Sequence, residues 1–126
     1  MENPQDSDVS TTTQRIVEAA LELKAEQIVS LDMRGVSSLA DVFLITSGRS
    51  GRHVRSIAES IIQTLRTDDR EPLGVEGLSE GRWVLIDADD IVVHVFEEEM
   101  REIFDLERLW SDAPSLDFSP AHASAG

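Results

Sequence analysis

"GRWVLIDADDIVVHVF", residues 81–96, is the stretch that decides the fold. It reads as two short strands around an acidic turn. The two-residue alternation of a strand sends Val84, Ile86, Ile91, Val93 and Val95 to one side. Trp83, Leu85, Asp87, Val92, His94 and Phe96 go to the other. A hairpin loop of two residues or of four gives the same pairing parity, so the division holds for either length. The first side is an aliphatic core face. The second sets a tryptophan, a histidine, a phenylalanine and a carboxylate side by side.

Outward from the hairpin, each flanking segment has its own period. Upstream, "SGRHVRSIAESIIQTLRTDD" places Val54, Ile57/Ala58, Ile61 and Leu65 on one face of an amphipathic helix that Ser50 opens. Before it, "IVSLDMRG" and "DVFLITSG" read as strands, the second rich in β-branched and aromatic residues. A first helix is expected over "TTTQRIVEAALELKAEQ", with Ile16, Ala19/Ala20 and Leu23 at helical spacing. "EPLGVEG" is a short strand that Pro72 pushes toward a sheet edge.

After the hairpin, "EEEMREIFDLERLWSDAP" begins with glutamates suited to a helix N-terminus, where the macrodipole favours negative charge. Asp105 is placed to N-cap a second turn running to Trp110. Residues 1–11 read as a disordered lead, 12–113 as one folded domain and 114–126 as a flexible tail. The element order implies an α/β (α+β) fold, a small mixed β-sheet with helices mainly on one face. Helices on the aliphatic side would leave the aromatic side open. Such a patch of large aromatics calls for a partner.

Composition narrows the class of that partner. The chain has 126 residues, enough for one core. It has no cysteine, so disulfides and thiolate metal sites are excluded. No apolar run reaches the eighteen or so residues needed to span a bilayer, and no membrane association is expected. The polar, acidic start lacks the layout of a secretory signal or transit peptide, so a cytoplasmic location is expected. Eleven basic residues against twenty-five acidic ones give a net charge of −14. A phosphate backbone repels such a chain, whereas a basic protein is steered toward it.

Asp87 and Asp89 have the spacing of a magnesium-binding pair, and Ser47-Gly48 before a helix resembles a phosphate cradle. Together they suggest, as the alternative function, a magnesium-dependent nucleotidyltransferase using Asp87, Asp89 and Ser47. Against it, aspartates are common in hairpin turns for local hydrogen-bonding reasons, and no phosphate-loop lysine accompanies them. His53, His94 and His122 form no ligand-spaced cluster, and no metal or cofactor is expected. No nucleophile elbow is present. Arg49, Arg52 and Arg55 read as the solvated start of a helix rather than an RNA contact, so no direct nucleic-acid specificity is expected. The balance favours a binding module over an enzyme.

Three segments carry a resemblance. "LDMRGVSSLADVFLITSGRSGRHVRSIAESI", "EPLGVEGLSEGRWVLIDADDIVVHVFEEEMREIFDLERLW" and the closing "SDAP" are similar to the ribosomal silencing factor (Iojap) family, over residues 14–114. The resemblance implies a fold related to nucleotidyltransferases but without their activity. It also implies binding to ribosomal protein fourteen on the intersubunit face of the large subunit. Subunit joining would be blocked and translation repressed in starvation or stationary phase. Matched position by position, it points to Trp83, Asp87, His94 and Phe96, on the strand face that also holds Leu85 and Val92. Phe104, Leu106, Glu107, Leu109 and Trp110 would border that contact. This chain has Phe104 where many relatives are expected to carry an aromatic hydroxyl, and Ala88-Asp89 where a glycine-containing turn is expected. Homodimerisation through the same face, off the ribosome, is a further expectation.

Overall fold

The computed structural model describes residues 4–116 and, of their side chains, those from Asp8 onward. Helix α1 (Pro4–Glu22) leads into strands β1 (Glu26–Asp32) and β2 (Val42–Gly48), then helix α2 (Gly51–Thr67). Strands β3 (Gly74–Glu76), β4 (Trp83–Ala88) and β5 (Ile91–Glu97) follow. Two short helices, α3 (Glu98–Phe104) and α4 (Leu106–Leu109), precede β6 (Ser115–Leu116). The strands form one mixed sheet in the order β3-β4-β5-β2-β1-β6. The β2–β5 pair is parallel and every other pair is antiparallel. The parallel pair needs a crossover, which α2 and the β3–β4 ribbon supply.

The two long helices share one face of the sheet, as the sequence implies. Val54, Ile57, Ala58, Ile61 and Leu65 of α2 and Ile16, Val17 and Ala20 of α1 are buried there against Val84, Ile86, Ile91, Val93 and Val95. The aliphatic half of the hairpin is therefore core, as its alternation requires. Ser50 caps α2, its hydroxyl accepting the His53 backbone N–H at 3.2 Å. Gly74–Glu76 lies at a sheet edge just after Pro72, where no neighbour needs the missing donor.

Several boundaries differ from the sequence reading. The lead to residue 11 is helical from Pro4, and Val9 is buried against the core. Polar composition hid this, since Val9 is its single β-branched anchor and Thr13 satisfies its own hydroxyl on the Val9 carbonyl at 2.8 Å. Leu23 is not on the core stripe: α1 stops at Glu22, Lys24 takes a left-handed φ of 61°, and Leu23 is exposed. At the other end, Ser115 and Leu116 pair with β1, so the sheet continues past residue 113. Residues 117–126 of the expected tail, with His122, lie outside the described residues. Among the described residues no helix is long and apolar enough to cross a membrane.

Candidate functional site

The hairpin closes through a two-residue loop, with Ala88 paired to Ile91 and Trp83 to Phe96. Asp89 supplies the positive φ, 68°, where a glycine was expected. Aspartate tolerates this region better than most residues because its short side chain bonds locally. The Asp87 carboxylate accepts the Asp89 backbone N–H at 3.0 Å, which fixes the turn. Asp87 is thus tied to turn geometry and Asp89 is exposed at the tip. Ser47 is level with Phe96 and Trp83, two strands away and four residues along, about 13 Å in the strand direction. The structure does not bring Asp87, Asp89 and Ser47 together. Among the described residues no His, Asp or Glu side chains gather into a metal-holding group.

On the aromatic side, register aligns side chains from β2, β5 and β4. Phe43, Ile45 and Ser47 of β2 stand beside Val92, His94 and Phe96 of β5, which stand beside Asp87, Leu85 and Trp83 of β4. Half of this face is covered. Leu31, Met33, Phe43, Ile45, Phe96 and Ala113 form a second core, with Met100, Leu106 and Trp110 packed on it. The expectation of an open aromatic face is therefore corrected: Phe96 is 0% exposed and His94 5%. Both lie beneath the surface of the described structure. The cause is that α3, α4 and the segment after them fold back over the β2–β5 half instead of running off the sheet.

The same rings order the half that stays accessible. Trp83 is half-buried, stacked on Phe96 at 5.0 Å between centroids and 27° between planes, with Phe104 at 4.6 Å. Its indole N–H donates to His94 Nδ1 at 3.2 Å. That bond requires Nδ1 to be unprotonated, so the neutral ring carries its proton on Nε2. His94 Nε2 is buried without a hydrogen-bond partner in the described structure. Burial pushes the imidazole pKa down to about 4, keeping it neutral at physiological pH. Phe43 packs on His94 at 5.2 Å and meets Trp110 edge-on at 5.8 Å.

What remains open is a strip along the β3–β4 edge. Leu85, Asp87 and Val92 are half-exposed there, beside the accessible part of Trp83. The outer side of α3 and α4 adds Ile103 and Leu109, each 69% exposed, and Phe104 at 43%. Leu106, Glu107 and Trp110 are half-buried at the seam between cover and sheet. The expected residues thus divide by depth: His94 and Phe96 support the surface from below, while the rest form the strip or its border. Ile103 was missed in the sequence because it stands out of phase with the buried side of α3.

Arg101 was missed as well. It is 6% exposed, donating to Ser47 Oγ at 2.7 Å and forking onto Glu107 at 3.1 and 3.3 Å. A further bond to the Glu26 carbonyl at 3.4 Å ties α3 to β1. A lone arginine in an acidic run reads as solvated, and only the fold-back of α4 reveals its role. Asp105, expected to N-cap α4, occupies that position with φ 45° but makes no side-chain cap bond. Behind Arg101 a cleft of about 440 Å³ is lined by Glu26, Glu98 and Glu102 among others. Glu26 and Glu98 hydrogen-bond there, which raises the Glu98 pKa and lowers that of Glu26. The arginine cluster disperses: Arg49 pairs with Glu26 at 3.4 Å and Arg55 reaches the Ser79 carbonyl at 3.4 Å.

Fold and geometry define a class: a small α+β domain whose sheet leaves one aromatic-edged strip open, with the candidate catalytic residues held apart. The chain matches the family described as "Ribosomal silencing factor during starvation" over residues 5–125, and it belongs to that family. It is 43% identical over 104 residues to Ribosomal silencing factor RsfS of Halalkalibacterium halodurans, covering 82% of this chain and 89% of the relative. To the protein of the same name in Bacillus subtilis it is 45% identical over 94 residues, covering 75% of this chain and 80% of the relative. A crystal structure of a Chromobacterium violaceum protein superposes with TM-score 0.78 at 34% identity, over 80% of this chain and 84% of the other. The relatives carry the name of a regulatory factor, and the family places this chain in the regulation of translation.

Proposed function

We propose that this chain acts in the cytoplasm as a ribosomal silencing factor. It docks on protein fourteen at the intersubunit face of the large ribosomal subunit and blocks joining of the small subunit by occupancy. Translation falls as a result under starvation or in stationary phase. Family membership supports the ribosomal role. The observation that carries the docking reading is the strip of Trp83, Leu85, Asp87 and Val92 left accessible beside exposed Ile103, Phe104 and Leu109.

The physics is that of recognition without chemistry. A specific interface takes roughly 800 Å² from each partner, an extent that a hairpin edge and the outer side of two short helices can supply together. The −14 charge draws the chain toward a basic ribosomal protein and away from rRNA, raising encounter rate more than affinity. Apolar anchors then set residence time. The test is re-association of purified subunits on a sucrose gradient. Added protein shifts intact ribosomes toward free subunits, and an unchanged profile contradicts the mechanism.

A further inference from the structure

Beside the strip lies a recess of about 270 Å³ lined by Glu76, Gly77, Trp83 and Leu85. Register pairs Glu76 of β3 directly with Leu85 of β4, so its carboxylate stands on the same face as Leu85 and Trp83. Gly77 lies against the β4 backbone: its φ is +80°, and a Cβ there would meet the Trp83 carbonyl oxygen at 2.1 Å, so this part of the lining stays glycine. On the far side of β3 the sheet has no further strand.

The recess thus has apolar walls and a single acidic lip. Glu76 is exposed and makes no side-chain hydrogen bond or ion pair among the described residues. Some surface carboxylates are neutralised by an arginine, Glu71 by Arg66, Glu107 by Arg101 and Glu97 by Arg82, whereas Glu76 keeps its full charge at the recess. A purely apolar occupant would strip water from Glu76 and leave it uncompensated. An anion would be repelled by the carboxylate and by the net charge of −14. A second copy carries the same net charge and is opposed at long range. Long cationic side chains suit both parts, because their stems are apolar and their ends charged. An aromatic wall adds attraction for a cation.

We propose that this recess receives a lysine or arginine side chain from the protein that docks on the strip. The stem lies against Trp83 and Leu85, and the charge rests on Glu76. This deepens the docking reading above and rests on it for the identity of the partner.

The experiment has one arm free of ribosomes. The full chain, ¹⁵N-labelled, is titrated by NMR with Nα-acetyl-arginine amide and Nα-acetyl-lysine amide, with Nα-acetyl-norleucine amide as the uncharged comparison. The cationic amides are expected to shift the Trp83 indole N–H and the Gly77 and Leu85 amides saturably. Binding should weaken about threefold in Glu76→Gln and for norleucine, the scale of an exposed ion pair. The proposal is overturned by the absence of a saturable shift at Trp83, by equal binding of norleucine, or by unchanged binding to Glu76→Gln.

The second arm uses purified large subunits. Glu76→Gln is expected to bind about threefold more weakly, whereas Glu59→Gln, on the exposed side of α2, binds as the unaltered chain does. Equal affinities of the two variants overturn the proposal while the ribosomal reading stands. If the unaltered chain ignores large subunits but the amide titration succeeds, the ribosomal reading fails and the cation recess stands.

Discussion

The Trp83–His94 bond joins the accessible strip to the core beneath it. Its acceptor exists only while the imidazole is neutral, and protonation would place two donors face to face. His94 has a folded pKa of about 4 against an ordinary 6.5. Between those values the unfolded chain binds the extra proton, so His94 favours folding fully above pH 6.5 and its contribution is lost as pH falls toward 4. The shift corresponds to about 3 kcal/mol. Chemical denaturation of the unaltered chain should therefore show a steeper loss between pH 7 and 4 than His94→Phe; parallel profiles would contradict the assignment. Trp83→Ala should weaken large-subunit binding by about 2 kcal/mol or more. It should also lower stability, because its ring packs on Phe96 and Phe104.

At the scale of elements, α3 and α4 determine how much of the aromatic face is seen, and Arg101 holds them down. Removing that guanidinium leaves Ser47 and Glu107 without their donor, so Arg101→Ala should cost about 3 kcal/mol. Amide exchange should accelerate over residues 98–109 while α2 stays protected. Gly77→Ala forces a side chain into a left-handed turn against the Trp83 carbonyl. It should destabilise by about 2 kcal/mol or more, measurable as a lower Tm. The hairpin, α2 and the edge position of β3 were legible because alternation, an N-cap serine and a proline each have a local cause. The cover was not. Leu106 and Trp110 pack on the sheet only after the chain reverses at Asp105, which takes a left-handed φ of 45°. No local pattern announces that reversal. Depth was lost with it, which is why His94 and Phe96 read as surface residues.

For the molecule as a whole, charge sets how a partner is found and the open strip sets how it is held. The acidity was legible from composition alone. Raising salt should slow association with large subunits while changing dissociation little, because long-range steering is screened beyond about 8–10 Å and apolar anchors are not. Stopped-flow or surface-binding kinetics at two ionic strengths separate these effects; a salt-insensitive on-rate would argue against steering. Leu85 lies at the centre of the strip, half-exposed on β4 and opposite Glu76 on the edge strand. A lysine there can extend into solvent without opening the core. The most direct measurement is the equilibrium affinity of the Leu85→Lys chain for purified large ribosomal subunits. With an unchanged Tm, it should bind about tenfold more weakly or worse; undiminished affinity would contradict docking through this strip.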